Sequence, residues 1–462
     1  MNVHLKLIVS VILLFISSIC HGKNRANLSK HIELKFESSL KKILKQKYLR
    51  VLTTKNPYDY FIEHGNAKGI QYEMVKEFTK YLNKKYVKKD ELQIAFELIP
   101  VDFDQLIPMI NDNKGDFIAV GMTSTPKRKE LVDFTVAYRK VDEVIVTRKS
   151  NKLSNWKKEI FHIPRDSSYQ KSLKKHISAE NIKTINPNFN TADIMEFISL
   201  NKFNYTLVNS FWAKTIGRQF NNLKIIKNIP FRKNINISWA LKKNNNDLLN
   251  ELNLFLPKVK KGTLKGNILG YKYFYNIGKI TSKNFSYSTS TVSEYDMLFK
   301  KYARKYNIDW RLLAALCYQE SRFNQNIINK WGAIGLFQIK QKTASEPYIG
   351  ILKIKGMLNI ENNIHAGVKY LAWIKKRYLD NTKFTVIKSS NNSKLRMMMA
   401  AYNAGPRRLL QAINKTKLMG LKTNVWFRNV ELAMLELGYP EPVLYVSEIN
   451  KRFVSYKLLG IR

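Results

Sequence analysis

The sequence predicts an α/β domain followed by a mainly helical domain. In the first half of the chain, the strand-like segments Tyr48–Thr54 and Leu92–Ile99 enclose the helical pattern of Ile70–Leu82. Such alternation predicts a parallel sheet covered by helices. Apolar residues return to helical spacing from Leu298–Tyr306 onward. Between these parts, residues 271–292 are rich in Tyr, Ser, Thr, Asn and Lys without a period, which predicts a linker.

Further elements of the α/β part follow from the spacing of apolar residues. In Ile70–Leu82, Met74, Val75, Phe78 and Leu82 share one face of a helix. The next segments predict a helix, a strand and a later helix, in the order Phe103–Ile110, Asp116–Gly121 and Asn244–Lys261. In the second part, Asn362–Arg377 predicts another helix.

Length and charge limit the classes of function. A chain of 462 residues is long enough for two or three domains. Its formal charge is 79 − 35 = +44, which suits a polyanionic partner such as nucleic acid or an anionic wall polymer. Lys, Asn and Ile are abundant all along the chain rather than in one patch, so compositional drift explains most of the charge. We expect salt-dependent adhesion to anionic surfaces.

The N-terminus has the pattern of an export signal. Lys6 precedes the apolar run Leu7–Ile19, which is short for a membrane span. Small residues favour cleavage after Gly22, whereas Cys20 leaves a lipid anchor open as the alternative. Cleavage would leave Cys317 as the remaining cysteine, so no internal disulfide is expected. Its apolar neighbours predict a buried thiol.

Glu320 ends an apolar helical stripe. Leu313, Leu316 and Cys317 precede it at helical spacing, and Asp309 is placed to cap the helix. We expect partial burial to raise the pKa of this carboxyl, as a general acid near neutral pH requires. The alternative is a solvated glutamate, or one paired with the neighbouring arginine.

A glycine-rich segment follows. Gly332 and Gly335 allow a tight turn that returns the chain beside the helix. Gln338 is the one polar residue in the apolar run that comes next. Its amide needs a hydrogen-bond partner, which a polar ligand could supply.

The segment MMMAAYNAGP, residues 397–406, predicts a helix through Ala404, a Gly405 cap and Pro406 opening the next helix. Three motifs now stand in chain order: E-S at Glu320, G-A-x-G-L-x-Q ending at Gln338, and A-Y-N-A-G-P. Together they resemble the lytic transglycosylase (goose-lysozyme-like) domain. The resemblance implies a mainly α, lysozyme-like fold.

The resemblance also implies roles for individual residues. Glu320 would be the single catalytic acid, protonating the glycosidic oxygen between N-acetylmuramic acid and N-acetylglucosamine. Its carboxylate would then take the C6 hydroxyl proton, closing a 1,6-anhydro ring. Gln338 and Tyr402 match substrate-contacting positions, and Tyr445 lies in the closing Y-V motif. Asn329 stands where the family commonly has a serine that binds the N-acetyl group.

Residues 115–138 resemble the bacterial solute-binding proteins of family 3. The matching positions are Asp116, Thr123, Thr125, Arg128, Phe134 and Tyr138. The resemblance implies a bilobed, periplasmic-binding-protein-like domain. In it, Glu143–Arg148 and Ile237–Lys242 would be hinge strands and Asn151–Asn236 the second lobe.

The same resemblance implies a ligand site. Arg128 would clamp a carboxylate through its bidentate guanidinium, with Thr123 beside it. Ser168 lies where a helix N-terminus often faces an anionic group. Asn209 replaces the Asp that usually binds a ligand ammonium, so the resemblance favours an acidic ligand without a free α-amino group, such as a wall-derived peptide.

The predicted organisation is therefore a signal peptide (1–22), a solute-binding domain (23–270), a linker (271–292) and a transglycosylase domain (293–462). We expect a periplasmic enzyme that cleaves peptidoglycan glycan strands, binds a muropeptide-like ligand in its N-terminal domain and associates peripherally with the outer membrane. No cofactor, metal or nucleic-acid partner is expected. Two alternatives remain open: a goose-type muramidase that hydrolyses the same bond, and a non-catalytic wall sensor.

Overall fold

The chain forms two compact units. The computed structural model describes residues 38–56, 58–63, 65–88, 91–151, 156–165, 167–185, 191–275, 291–350, 354–380 and 391–458. One unit consists of Ile32–Lys369 with Ser447–Arg462, the other of Met1–His31 with Tyr370–Val446. The predicted signal peptide, its Cys20 and most of the predicted linker lie outside the described residues. Within the described ranges, no helix has the length and hydropathy of a membrane span.

The larger unit begins with an α/β region. Its strands are β1 (Tyr48–Thr53), β2 (Phe61–Glu63), β3 (Asn66–Lys68), β4 (Ala95–Pro100), β5 (Phe117–Thr123), β6 (Asp133–Phe134), β7 (Arg139–Val141), β8 (Glu143–Arg148), β9 (Phe161–Pro164), β10 (Ile182–Ile185), β11 (Tyr205–Asn209), β12 (Leu223–Ile226) and β13 (Ile235–Leu241). Its α-helices are Leu40–Gln46, Ile70–Tyr86, Leu106–Asn111, Pro126–Leu131, Tyr169–Leu173, Thr191–Ser199, Ser210–Gly217, Asn246–Phe255 and Leu264–Gly270. The predicted helical face of Ile70–Leu82 is confirmed, since its four apolar residues are buried.

Two mixed sheets form the two lobes. The first has the order β4-β1-β5-β13-β6, with β7 also paired to β13, and the second has the order β10-β9-β11-β8-β12. Strands β4, β1 and β5 are parallel, while β13 is antiparallel to β5. In the second sheet, β10 and β11 are both parallel to β9, so the predicted parallel arrangement holds for three neighbouring strands of each sheet.

The lobes are joined at two crossings of the chain. Strands β8 and β13, predicted as hinges, instead pair on both sides inside their own sheets. The chain crosses between β7 and β8 and again between β12 and β13. The crossings are tied together, because Arg232 donates through Nε to the buried carboxylate of Glu143 at 3.1 Å.

A buried ion pair fixes the start of the first sheet. Asp116 accepts from the Arg50 backbone N–H at 2.6 Å and from its guanidinium at 3.2 Å. Both side chains are fully buried. Asp116 thus joins β1 to the turn before β5, and its role is structural.

The helical region of the larger unit contains Asp296–Tyr306, Trp310–Ser321, Gln341–Ala344, Ile354–Leu358 and the start of Ile360–Ile374. The smaller unit contains Asn391–Ala404, Pro406–Leu418, Glu431–Glu436 and the start of Pro440–Leu458. Gly405 has φ +86° and Pro406 begins the next helix. The predicted break at this point is confirmed.

Candidate active site and ligand-binding cleft

Glu320 lies on the last turn of the helix Trp310–Ser321. The Asp309 carboxylate caps this helix by accepting from the Arg311 backbone N–H at 3.0 Å, as the sequence predicted. The apolar stripe is buried, while Glu320 itself is half-buried. The helix then ends at Arg322, whose φ of 54° turns the chain away. Glu320 therefore lies at the edge of the apolar core, partly exposed to solvent.

Cys317 lies one turn before Glu320 and is fully buried. Burial raises the pKa of its thiol, and the Glu320 charge adds to that effect. The thiol therefore stays protonated. The prediction of a buried cysteine is confirmed.

The segment after Glu320 is held in place by buried polar side chains. Ser321 donates to the Leu336 carbonyl at 2.9 Å. The Gln325 amide oxygen accepts from the Leu336 N–H at 3.0 Å, and the Asn363 amide oxygen accepts from the Phe337 N–H at 2.9 Å. We had not identified Gln325 and Asn363 from the sequence. The signal used for Gln338, an amide among apolar residues, marks neither of them, because Gln325 stands between two asparagines and Asn363 follows another.

Gly335 sits against these two amides. Its φ is +74°, and a Cβ there would lie 2.4 Å from Asn363 Nδ2 and 2.7 Å from Gln325 Oε1. The position therefore requires glycine both for its backbone conformation and for space. This close approach explains the second glycine of the motif.

Gln338 and Asn329 lie on the same loop system as Gly335. The Gln338 amide nitrogen donates to the carbonyls of Ile327 (3.1 Å) and Gly335 (2.9 Å). The partner that the sequence required is thus supplied by the protein. The Asn329 amide oxygen accepts from the backbone N–H groups two and four residues on, at 2.9 and 3.1 Å. Both side chains are therefore fixed by backbone groups.

Tyr402 and Tyr445 belong to the smaller unit. Tyr402 is half-buried near the end of Asn391–Ala404, with its ring centroid 5.4 Å from that of Tyr370. Tyr445 is buried in the helix Pro440–Leu458.

Two other carboxylates near the motifs have structural partners. Asp309 forms an ion pair with Arg311 at 2.7 Å. Glu361 accepts from Lys301 and from the Tyr302 hydroxyl. Hydrogen bonding to Lys301 lowers the pKa of Glu361. The structure thus supports the interpretation of Asp309 as a cap and Glu361 as a surface charge.

A cleft of about 620 Å³ lies between the two lobes of the α/β region. The first lobe contributes residues that follow the carboxyl ends of its parallel strands β1, β4 and β5, where open α/β sheets commonly bind ligands. All four residues predicted for the ligand site line this cleft: Thr123, Arg128, Ser168 and Asn209.

Arg128 is positioned by its own turn and by an aromatic ring. The Thr125 hydroxyl accepts from its backbone N–H, capping the helix Pro126–Leu131. Its guanidinium donates to the Thr123 carbonyl at 3.1 Å and lies 5.1 Å from the Phe103 ring centroid. A cation held against an aromatic face in a cleft can bind an anionic group.

Ser168 and Asn209 also have structural roles. The Ser168 hydroxyl accepts from the Arg232 guanidinium at 2.8 Å, next to the lobe crossing. The Asn209 amide oxygen accepts from the Trp212 N–H at 2.9 Å and caps the helix Ser210–Gly217. The Asn209 oxygen thus stabilises that helix.

The cleft contains polar residues that we had not identified from the sequence. Asp104 Oδ1 and the Ser167 hydroxyl are buried, with no hydrogen-bond partner among the described residues. The Asp59 carboxylate is buried and accepts from Asn56 (2.7 Å) and Gln71 (3.2 Å). Burial raises the pKa of Asp59. Asp59 and Asp104 follow β1 and β4, so the rule for strand ends could have found them.

The β2–β3 hairpin of the α/β region packs beside the Glu320 helix, within the larger unit. A Cβ at Gly65 would lie 2.6 Å from the Phe323 ring and 2.9 Å from the Tyr318 ring. The Tyr456 hydroxyl donates to the Gly65 carbonyl at 2.6 Å. The Tyr60 hydroxyl, just before the hairpin, donates to Ser455 at 2.5 Å. The helix Pro440–Leu458 therefore contacts both the hairpin and the residue before it.

Known proteins are similar to this chain in both regions. Residues 49–274 match the model of the bacterial extracellular solute-binding proteins, family 3, and residues 297–424 match the transglycosylase SLT domain. Proteins named membrane-bound lytic murein transglycosylase F match over most of their length. The one from Desulfosudis oleivorans is 26% identical, covering 84% of this chain and 82% of its own. One from Pseudomonas fluorescens is 26% identical, covering 90% and 86%.

This chain therefore carries both domain matches, and it is similar over most of its length to proteins named membrane-bound lytic murein transglycosylase F. Two solved structures resemble its α/β region. An ancestral arginine-binding protein bound to glutamine is 24% identical, covers 50% of this chain and 99% of its own, and has a TM-score of 0.42. The ancestral amino acid-binding protein AncCDT-1 is 22% identical, covers 51% and 99%, and has a TM-score of 0.43. In this chain, the solute-binding match and the SLT match follow one another in sequence.

Proposed function

We propose that this protein is a lytic transglycosylase that cleaves the β-1,4 bond between N-acetylmuramic acid and N-acetylglucosamine in peptidoglycan. The observation that carries the proposal is the setting of Glu320. Its carboxylate is half-buried at the end of a capped helix, beside a loop that two buried amides hold rigid. The transglycosylase domain match and the names of the relatives support the same reaction.

One carboxylate can carry both proton transfers. Glu320 protonates the glycosidic oxygen as the bond to C1 breaks, and its carboxylate then takes the proton of the C6 hydroxyl as that oxygen attacks C1. The product is a 1,6-anhydromuramoyl end, with no water consumed. Ordinary glycosidases need a second carboxylate, whereas Asp309 and Glu361 are held by structural partners.

Four residues are proposed to bind the glycan strand. Gln338 presents its side-chain amide from the rigid turn. The Asn329 amide oxygen serves the backbone, so its amide nitrogen would be the donor to an N-acetyl carbonyl. Tyr402 and Tyr445 are included in the proposal because they match the motifs of the transglycosylase domain.

Product analysis tests the reaction. Sacculi digested with the protein should release fragments with anhydro ends, which are lighter than reducing ends by one water. Mass spectrometry distinguishes them directly. Mainly reducing ends would instead establish a muramidase, and absence of cleavage by folded protein would favour a wall sensor.

We also propose that the cleft binds a muropeptide-like ligand. Its volume of about 620 Å³ lies within the range of small-molecule sites. Arg128 and Arg165 provide cations for carboxylates, while Asp104 Oδ1 and the Ser167 hydroxyl have no hydrogen-bond partner within the described ranges. A wall peptide carries several polar groups that could satisfy both kinds of residue.

Calorimetry on the full chain carrying Glu320→Gln tests this binding without turnover. A muropeptide should bind, bind more weakly at high salt, and be lost in Arg128→Ala. Arg218→Ala is the matched control, since Arg218 lies outside the cleft lining. Tight binding of a free amino acid, or binding indifferent to Arg128, would contradict the assignment.

The proposed ligand could regulate the enzyme through a short series of hydrogen bonds that joins the cleft to the Glu320 helix. Tyr58 and Asp59 line the cleft, and the adjacent Tyr60 bonds to Ser455 on the C-terminal helix. On the same helix, Arg452 donates to Gln319 at 2.8 Å, next to Glu320. Coupling requires that ligand and glycan bind different states of this path with different affinities.

We propose a periplasmic location with peripheral association to the outer membrane. The export pattern at residues 1–22 supports secretion. The relatives are named membrane-bound. Cleavage of peptidoglycan requires access to the wall, which such a location gives.

A further inference from the structure

The helix Leu264–Gly270 and the residue that follows it expose large apolar side chains that have no role described above. Leu264 is 78% exposed, Ile268 56% and Tyr271 66%. They are spaced by four and three residues, so they form a single stripe along one side. Leu269 and Tyr273 are buried and attach the segment to the domain. We refer to Leu264, Ile268 and Tyr271 as the 264–271 stripe.

Lysines lie next to this stripe in the sequence. Four exposed lysines lie on or just before the segment: Lys260, Lys261, Lys265 and Lys272. Lys265 pairs with Glu77 at 2.5 Å and Lys272 with Glu73 at 2.6 Å. Two carboxylates against four lysines leave an excess of two positive charges. The surface is therefore both apolar and cationic.

We propose that the 264–271 stripe docks this protein onto an anionic lipid surface. Three side chains on one short helix are too few for a stable protein interface, which buries about 1,000 Å² or more. A bilayer accepts such a narrow apolar stripe at the headgroup boundary. Lysines beside it keep their ammonium groups in water and bind anionic headgroups.

This inference rests on the proposed location in the envelope but not on the chemistry at Glu320. It assigns membrane attachment to a surface of the α/β region, separate from the N-terminal residues 1–22. Docking there would hold the enzyme at the membrane after the signal has been removed.

Vesicle sedimentation tests the proposal. The chain from Lys23 onward retains every described residue. It should bind vesicles of phosphatidylethanolamine and phosphatidylglycerol, and bind phosphatidylcholine vesicles more weakly. The triple variant L264S/I268S/Y271S should bind the anionic vesicles more weakly, by about tenfold at least. The matched control, L200S/L418S/L444S, replaces three residues that are also exposed and should bind like the unaltered chain.

A charge variant separates the two parts of the surface. Lys260→Glu with Lys261→Glu should reduce binding to anionic vesicles and leave the weak binding to phosphatidylcholine unchanged. The proposal is overturned if the unaltered chain fails to bind anionic vesicles, or if the stripe variant binds them equally well. A dimer that only the stripe variant dissociates, without vesicle binding, would assign the stripe to a second copy instead. Cleavage of soluble glycan strands is the separate readout for the proposed enzyme.

Discussion

The loop beside Glu320 and the cleft between the lobes differ in the hydrogen bonding of their buried polar groups. In the loop, the Gln325 and Asn363 amides each bond to backbone groups on both sides, through their oxygens and their nitrogens. In the cleft, Asp104 Oδ1 and the Ser167 hydroxyl are buried with no partner in the described part of the chain.

This difference fits two kinds of site. A catalytic carboxylate gains from surroundings that are already in position before the substrate arrives, because no reorganisation is then needed during reaction. Unpaired buried polar atoms are unfavourable in the free protein, so a ligand that bonds to them binds more tightly. The buried polar groups of the loop are thus satisfied within the protein, whereas those of the cleft are satisfied when a ligand binds.

The largest expected effect comes from removing the acid itself. Glu320→Gln keeps the side-chain shape but cannot donate a proton, so we expect wall cleavage to fall by about 10²–10⁴-fold or more. The measurement is release of soluble fragments from sacculi. Glu346→Gln is the control, since Glu346 follows the loop and is a formal candidate for a second carboxylate. A large loss in the control, or near-normal turnover in folded Glu320→Gln, would contradict the single-acid mechanism.

The rigidity of the loop is tested at Gly335. Gly335→Ala adds a Cβ that would meet the Asn363 and Gln325 amides and strains a φ of +74°. We expect a loss of roughly 2–4 kcal/mol in the free energy of unfolding, together with reduced cleavage. Gly332→Ala is matched, because φ there is +75° but a Cβ meets open space. If both variants unfold alike in urea, packing against the amides is unimportant.

A smaller effect is expected where the two regions meet. Tyr60→Phe removes the hydrogen bond to Ser455, a loss of about 0.5–1.5 kcal/mol. Basal cleavage should remain, while any change in rate caused by a muropeptide should shrink. Tyr48→Phe is the control, since Tyr48 bonds to Glu97 on the same sheet instead. An unchanged muropeptide response in Tyr60→Phe would exclude this path.

The smallest effect concerns pH. Burial raises the pKa of Asp59 in the folded chain, partly opposed by hydrogen bonds and by the Arg139 charge. A folded state that holds the proton more tightly loses stability as pH rises from the ordinary carboxyl pKa through the raised one. Asp59→Asn should therefore lessen the fall in Tm between pH 4 and pH 8, by at most about 2 °C per kcal/mol of stability, because the shift per kcal/mol decreases with chain length. A steeper fall in the variant would show that the ionised carboxylate is stabilising.

The sequence predicted the features that depend on neighbours along the chain. The Asp309 cap and the Gly405–Pro406 break were correct because capping and backbone preferences act within a few residues. Gln325 and Asn363 were missed because most of their hydrogen-bond partners are 11 to 33 residues away in sequence. The spacing of apolar residues predicts which face of a helix a residue occupies, but it does not predict which distant residue that side chain contacts.

The ligand cleft also combines residues that a local motif predicts with contacts that depend on distant parts of the chain. Arg128 could be assigned to it through a motif, and the structure places Arg128 in the cleft lining. The hinge assignment of β8 and β13 was wrong because strand pairing across the sheet decides which strands are internal. Asn209 and Ser168 line the cleft as expected, yet their bonds to Trp212 and Arg232 arise from tertiary contacts that no local pattern encodes.

The bonds of the C-terminal helix to the β2–β3 region have a consequence for how the chain is made. Tyr60 and Ser455 are 395 positions apart, and Gly65 and Tyr456 are 391 apart. Synthesis from the N-terminus therefore produces the hairpin long before its last partners exist, and contacts of such long range form late in folding. A product truncated before Ser455 therefore lacks both bonds, and the β2–β3 region loses its contact with the C-terminal helix.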